Sequence, residues 1–203
     1  MIEKSHVDEA LNRIHSHFGK RMVVQPPADA AALHELEEMA GTLPRSYMIF
    51  LTTCNGLTIR FDDKCEDEHL PCIHEIESAK TDVMNPATVN RLIPIRGDVE
   101  GLCDWLCLEE GPAYGSVIRW NPWTDDARYV SSSFDRYLDA WSRYLVKAHD
   151  SDGRLTPFGR KASFDDAFIR RHDVKFDGMA NQESTVEWLR ELQMSAPTGE
   201  DME

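Results

Sequence analysis

Four side chains that can bind zinc fall within ten residues of the sequence: Cys65, His69, Cys72 and His74. Thiolate and imidazole groups are the donors that Zn²⁺ takes in a tetrahedral site. Their spacing, C-x3-H-x2-C-x-H, differs from that of most structural zinc sites, which place two ligands on one tight turn and two more across a longer span. The spacing therefore favours an exposed acidic loop with a partly buried Cys72 over a metal site, and no cofactor is expected.

Carboxylates form a second set of candidates for chemistry. Adjacent pairs occur at Asp62-Asp63, Glu109-Glu110 and Asp125-Asp126. General acid–base catalysis needs a carboxylate whose pKa is shifted by burial or by a neighbouring charge, whereas adjacent acids in turns usually point into water. Asp104 is a better candidate because it lies between Cys103 and Trp105 on a predicted strand. No His or Lys is placed beside it by the sequence, so we expect Asp104 on a solvent-exposed face and assign no catalytic residue.

Several catalytic motifs are absent from the sequence. It contains no GxGxxG, no phosphate-binding GxxxxGK and no GxSxG. The pairs His34-Glu35 and His74-Glu75 are not completed to HExxH, because Glu38 and Ser78 stand where the second histidine would be. The sequence therefore argues against the common kinase, hydrolase and zinc-protease classes, and we expect a protein that is not an enzyme.

The composition is acidic, with 36 Asp and Glu residues against 22 Lys and Arg and a formal net charge of −14 at pH 7. Such a surface repels nucleic-acid phosphates and attracts a basic protein at low salt, although solubility alone also explains it. An exposed aromatic side chain among acids can be a binding hot spot, and packing against its own loop is the alternative for Trp123. Our candidates for partner contact are Asp62, Asp63, Glu66, Asp67, Glu68, Trp123, Asp125 and Asp126.

The expected compartment is the cytoplasm. Residues 1–6 lack the apolar core of a signal peptide, and no segment approaches eighteen uninterrupted apolar residues, so no membrane partner is expected. Five cysteines, an odd number without a regular framework, are typical of a reducing compartment. We therefore expect Cys54, Cys103 and Cys107 to be small buried apolar residues and expect no disulfides.

Hydrophobic periodicity predicts an α+β fold with a mainly antiparallel sheet packed against several helices. Apolar residues at helical spacing predict helices at 5–18, 33–41, 44–54, 133–147, 164–171 and 183–194. Alternating or continuous apolar runs predict strands at 57–61, 92–95, 102–108, 116–120 and 127–130. The short connections between the later strands require antiparallel hairpins, and Pro94 belongs on a sheet edge or at a strand start. Residues 22–24 are expected to be a crossing segment and 62–69 a solvated loop.

Short motifs in this order resemble the SMI1/KNR4 family, also called the SUKH superfamily. The chain carries LExxxG at 36–41, LPxxYxxFL at 43–51, NG at 55–56, RLIPIRGD at 91–98 and SFDRYLDAW at 133–141. The resemblance spans about 27–147 and implies an α+β domain. It also implies a non-catalytic binding role, because many bacterial members look to be immunity proteins that neutralise a delivered toxin, often a nuclease. Fungal members of the family act as regulatory hubs. The matching positions are structural, so no catalytic residue is carried over.

These observations predict an SMI1/KNR4-like domain with an N-terminal helix at 1–149, a C-terminal helical extension packing on it at 150–195 and a disordered acidic tail at 196–203. The predicted function is a non-catalytic protein-binding module, most simply an immunity protein whose partner is a basic toxin domain. The alternatives are a regulatory scaffold of the KNR4 type and a metal protein or enzyme that uses Cys65, His69, Cys72 and His74. The sequence does not determine the oligomeric state.

Overall fold

The fold is taken from a computed structural model that describes residues 2–61, 67–76, 91–97, 103–121, 126–180 and 183–195. It confirms the predicted α+β class, with antiparallel sheets packed against several helices. None of the described helices is long and apolar enough to cross a membrane.

The first helix, α1, is Ile2–Phe18. It buries the apolar residues whose helical spacing predicted it. Val7, Ile14 and Phe18 are buried on the face that packs against a later helix. A short 3-10 turn at Gly19–Arg21 follows.

Two helices then form a hairpin, at the positions where helices were predicted, 33–41 and 44–54. Helix α2, Ala30–Ala40, begins after Asp29, whose carboxylate accepts a hydrogen bond from the Ala32 N–H. It ends at Gly41, and helix α3, Arg45–Thr53, starts after Pro44, whose missing N–H would have had no helical partner. The inward face of α3 is buried in the core, as its spacing predicted.

A small antiparallel sheet contains β1 at Met22–Val24, β2 at Leu57–Ile59 and β3 at Glu68–Leu70, in the order β1-β2-β3. This corrects two expectations, because 22–24 is a strand rather than a crossing and 68–70 is not part of a loop. Three residues are too few to show a period of two, so these strands are defined by their pairing with β2.

The larger sheet has four antiparallel strands in sequence order: β4 at Leu92–Gly97, β5 at Cys103–Cys107, β6 at Val117–Asn121 and β7 at Asp126–Ser131. Pro94 lies on the edge strand β4, as predicted, and the register shifts between Pro94 and Arg96.

Helix α4, Phe134–Ala148, packs into the core of the molecule. Its buried face, which includes Tyr137, Leu138 and Trp141, belongs to one apolar core shared by α1, α2, α3 and both sheets. Arg13 of α1 ties the two helices together by donating to the Asp139 carboxylate at 2.9 Å.

The C-terminal part adds α5 at Asp166–Arg170, α6 at Phe176–Ala180 and α7 at Glu183–Ser195. The outer face of the larger sheet carries its own apolar cluster, and Phe176 and Leu192 contribute to it from α6 and α7. Strand β5 is apolar on both faces because both faces are covered.

Candidate functional site

Asp104 is buried, with 2% of its surface exposed, which corrects the expectation that it faces solvent. The pairing of β5 with β6 places Arg119 directly opposite it. Nε of Arg119 donates to Oδ1 of Asp104 at 2.7 Å, and Nη2 donates to Oδ2 at 3.0 Å. A buried carboxylate requires such a partner because removal from water is costly for an unpaired charge.

Tyr137 of α4 completes the surroundings of this carboxylate. Its hydroxyl donates to Oδ2 of Asp104 at 2.6 Å, and Nη1 of Arg96 lies 3.6 Å from the same oxygen. Burial raises the pKa of Tyr137 well above its ordinary value, and the negative charge of Asp104 raises it further. The tyrosine therefore acts as a fixed hydrogen-bond donor rather than as an acid.

Arg96 extends the charge pairing to the small sheet. It donates to both carboxylate oxygens of Glu68, from Nε at 2.9 Å and from Nη2 at 3.2 Å. Nε1 of Trp141 donates to Glu68 as well, at 3.3 Å. Burial alone lowers the pKa of Arg96, but the charges of Glu68, Tyr137 and Asp104 and the hydrogen bond to Glu68 together outweigh it, and the net shift is upward. The guanidinium therefore stays charged and bound to Glu68.

Arg119 extends the pairing in the other direction, to the C-terminal part of the chain. Its Nη1 donates to the Phe164 carbonyl at 3.2 Å and to the Asp166 carboxylate at 3.3 Å. Arg128 of β7 holds the other oxygen of Asp166 at 2.7 Å. We call the whole set the ionic network: Glu68, Arg96, Asp104, Arg119, Asp166 and Arg128.

A cleft of about 440 Å³ opens beside the ionic network. We call it the arginine cleft, and its walls are Glu68, Arg96, Arg119, Arg128, Tyr144, Ala162, Ser163, Phe164 and Asp165. Arg128 has 44% of its side chain exposed, and Asp165 is exposed too. The volume is within the usual range for a site that accepts a small ligand or a partner's side chain.

Three carboxylates in and beside the cleft are held by ion pairs or hydrogen bonds. Asp104 and Asp166 are each held by arginine, and Glu68 is held by Arg96 and Trp141. A general base must have an oxygen available to the proton that it removes. These groups instead present fixed charges.

Of the predicted partner-binding residues between 62 and 68, Glu68 lines the cleft. Asp62, Asp63 and Glu66 lie outside the described residues. Asp67 is exposed, and its Oδ1 accepts a hydrogen bond from the Phe61 N–H at 2.8 Å. Glu68 is half-buried in β3 rather than in a solvated loop, because its ion pair with Arg96 compensates for its removal from water.

The second group of predicted contacts is mostly outside the described part of the chain. Trp123 and Asp125 are not described, and Asp126 is the first residue of β7. Three other tryptophans, Trp105, Trp120 and Trp141, are buried.

The cysteine and histidine residues do not form a metal site in the part of the chain that the structure describes, where no cluster of three or more possible ligands occurs. Cys65 lies outside that part. Nδ1 of His69 lies 2.9 Å from the Thr58 hydroxyl, and Nε2 lies 3.0 Å from Glu75. The same Glu75 accepts from the Cys72 N–H at 2.8 Å, and burial raises the pKa of the Cys72 thiol. His69 and Cys72 are thus held in local hydrogen bonds through Glu75.

Sequence reasoning missed the arginines and Asp166 in this site. One signal was present, since Asp104 and Arg119 are isolated charges within otherwise apolar strands. Two opposite charges in neighbouring antiparallel strands predict a cross-strand pair once the register is known.

The sequence model of the SMI1 / KNR4 family (SUKH-1) matches residues 27–140, which is more than half of the chain. No curated protein matches the sequence. The match includes the hairpin of α2 and α3, both sheets from β2 onward and the first half of α4.

Proposed function

Because this chain belongs to the SMI1/KNR4 family (SUKH-1), whose members are generally non-catalytic, we propose that it is a protein-binding module. More specifically, we propose a bacterial immunity protein that acts in the cytoplasm and neutralises a basic toxin domain, such as a nuclease. The family membership supports the binding role, and the chemistry of the chain's surface supports the nature of the partner.

The arginine cleft is the observation on which the proposed site depends. It combines a volume of about 440 Å³ with carboxylates that already have partners, so its charges are fixed before a partner arrives. Charges that are held in place bind with little loss of side-chain entropy. The cleft can therefore recognise a side chain of a partner protein without catalysing a reaction.

The net charge of −14 favours a basic partner. Glu68 and Asp165 both line the cleft. A nuclease toxin has a basic surface that binds phosphates, and carboxylates can occupy the same surface. Long-range attraction between the two proteins would also speed their association at low salt.

Co-purification tests the proposal directly. We expect the chain to purify with the product of a neighbouring toxin gene and to inhibit that toxin's activity in solution. Failure to bind any such product would remove the immunity role and would favour the regulatory scaffold of the KNR4 type.

Charge reversal then tests the location of the interface. Replacing Asp67→Lys together with Asp165→Lys should weaken toxin binding about tenfold or more, because both carboxylates are exposed, Asp165 lines the cleft and Asp67 adjoins Glu68, which also lines it. The matched control is the double variant Glu35→Lys, Glu38→Lys on α2, which reverses two exposed acids that do not line the cleft. If the cleft variant and the control variant bind the toxin with equal affinity in titration calorimetry, the cleft is excluded as the interface.

A further inference from the structure

The outer face of the larger sheet is a broad aromatic surface that the C-terminal helices cover. Trp105, Trp120 and Tyr129 lie on it and are 6%, 0% and 5% exposed, respectively. The cover is formed by Phe176 and Leu192, with Trp188 and Leu189 packed at its edge. Without the cover, this face would be an apolar patch large enough to bind another protein.

The first part of the cover is firmly attached. Asp173, just before α6, accepts hydrogen bonds from the Ser131 hydroxyl at 2.8 Å and from the Ser132 hydroxyl at 2.7 Å. The guanidinium of Arg170 lies over the Phe176 ring at 4.5 Å from its centre. Helix α6 is therefore anchored at both its start and its preceding turn.

Helix α7 fits the same face less well. Among its described side chains Thr185 and Leu192 are buried, whereas Trp188 and Leu189 keep part of their apolar surface in solvent. Trp188 and Leu189 therefore lie at the edge of the contact. Part of the apolar surface of α7 therefore remains exposed to solvent.

One unsatisfied polar atom lies on the covered face. Nε1 of Trp120 is buried without a hydrogen-bond partner among the described residues. A buried polar group without a partner opposes burial, so an occupant that accepted a hydrogen bond from this Nε1 would gain an interaction that α7 does not provide.

The face and the helices that cover it come from different parts of the sequence. Strands β4 to β7 fall inside the family match at 27–140, whereas α6 and α7 lie beyond it. The face is thus built by the part of the chain that matches the family, and the helix that closes it lies outside that match.

We propose that the outer face of the larger sheet is a helix-binding surface, that α7 is its built-in occupant, and that an amphipathic helix of a partner protein can replace α7 there. The occupant shows what the surface accepts: a helix with apolar residues at the spacing of Thr185, Trp188, Leu189 and Leu192. Such helices bind grooves through side chains three, four and seven positions apart. The surface is distinct from the arginine cleft, so this proposal does not depend on toxin binding.

A peptide exchange experiment tests the proposal with the full chain. The probe is a fluorescently labelled peptide of residues 183–195, and the variant Leu192→Asp weakens the chain's own α7. We expect the variant to bind the peptide at least about tenfold more tightly than the unmodified chain does, because the native α7 competes at a high effective concentration. A peptide that itself carries Leu192→Asp is the control and should not bind.

A second variant keeps the test decisive. Trp188→Ser removes an apolar side chain that is only partly buried and should open the face with less risk to folding. No peptide binding by either folded variant, with folding checked by near-ultraviolet circular dichroism, would overturn the proposal. Global unfolding of both variants would overturn it too, because α7 would then be an indispensable part of the core.

Discussion

At the scale of single residues, Asp104 shows how the chain makes a buried charge tolerable. Its side chain is 1% exposed, and two arginines and a tyrosine hydroxyl surround it. The attraction among these groups offsets a desolvation cost that an isolated carboxylate could not bear. Removing a charged member therefore leaves its partners buried with an unbalanced charge, and removing the Tyr137 hydroxyl leaves a buried carboxylate oxygen without one of its hydrogen bonds.

We expect Asp104→Asn to lower the free energy of unfolding by about 3–5 kcal/mol, as for other broken buried ion pairs. Urea denaturation followed by circular dichroism measures the change. The matched control is Asp152→Asn, whose ion pair with Arg154 is 62% and 65% exposed and should contribute little. A loss for Asp104→Asn as small as the control's would mean that Asp104 is solvated.

His149 makes the stability depend on pH. Burial lowers its pKa from the ordinary value of 6.5, against a smaller opposite effect of Glu68, and its ring stacks on Phe61 at 3.9 Å. The unfolded chain therefore takes up the proton first as pH falls. The stability that neutral His149 provides is present above pH 6.5 and is lost on acidification below it.

Replacing His149→Phe keeps a ring against Phe61 and removes the titration. We expect this variant to lose less unfolding free energy than the unmodified chain between about pH 7.5 and about pH 5.5. Urea melts at both pH values measure the difference. Since burial also lowers the pKa of His172, some pH dependence should remain in the variant. Identical pH profiles for the two proteins would show that His149 is not buried in the neutral form.

The individual charges could be read from the sequence, but their partners could not. Asp104 stood out as an isolated acid on a predicted strand, and its burial depends on Arg119, fifteen positions later. That pair forms only in one register of β5 and β6, and no local pattern in the sequence states the register. Glu68 was misplaced for the same reason, because Arg96 is 28 positions away.

At the scale of elements, Gly56 controls how α3 passes into β2. Its φ of 94° lies in the left-handed region that favours glycine. A Cβ atom there would come within 2.8 Å of the Cys72 backbone nitrogen and 3.0 Å of the Leu70 carbonyl oxygen. The turn and the end of β3 therefore approach too closely for a side chain.

We expect Gly56→Ala to lower the free energy of unfolding by about 1–3 kcal/mol or more, from backbone strain and this clash together. Gly178→Ala on α6 is the control, because nothing lies within 4 Å of the Cβ it would add. That change should be neutral or slightly stabilising. Thermal melts compare the two, and equal midpoints would contradict the close approach at Gly56.

Elements with strong periodicity were predictable, whereas elements defined by pairing were not. The face of Tyr137, Leu138 and Trp141 identified α4, and Pro44 and Gly56 marked the limits of α3. Strands β1 and β3 have three residues each and gain their identity from β2. The apolar run of β5 did predict a strand, although it could not show that α6 and α7 cover one of its faces.

At the scale of the whole molecule, the ionic network joins parts that the chain order keeps apart. Glu68 belongs to the small sheet, Asp104 and Arg119 to the larger one, and Asp166 to the C-terminal helices. The shared apolar core crosses the same boundaries. Surface charge acts differently, because a net charge of −14 makes the compact state repel itself.

We expect moderate salt to stabilise the protein. Raising NaCl from about 0.02 M to about 0.3 M shortens the screening length, which relieves the surface repulsion while buried ion pairs are screened much less. The thermal midpoint should rise, and it should rise less in a Glu35→Lys, Glu38→Lys variant, which removes exposed acids from α2. A midpoint that falls with salt would mean that exposed ion pairs outweigh the net charge.

The packing of α1 on α4 has a consequence for synthesis. His6 contacts Asp135 and Arg13 contacts Asp139, over separations of 129 and 126 residues. At typical translation rates the ribosome needs about 6 to 26 seconds to make that length of chain. Throughout this interval the apolar side chains of Val7, Ile14 and Phe18 have no partner helix to pack against. Newly synthesised α1 therefore exposes an apolar surface that chaperones can bind at the ribosomal exit.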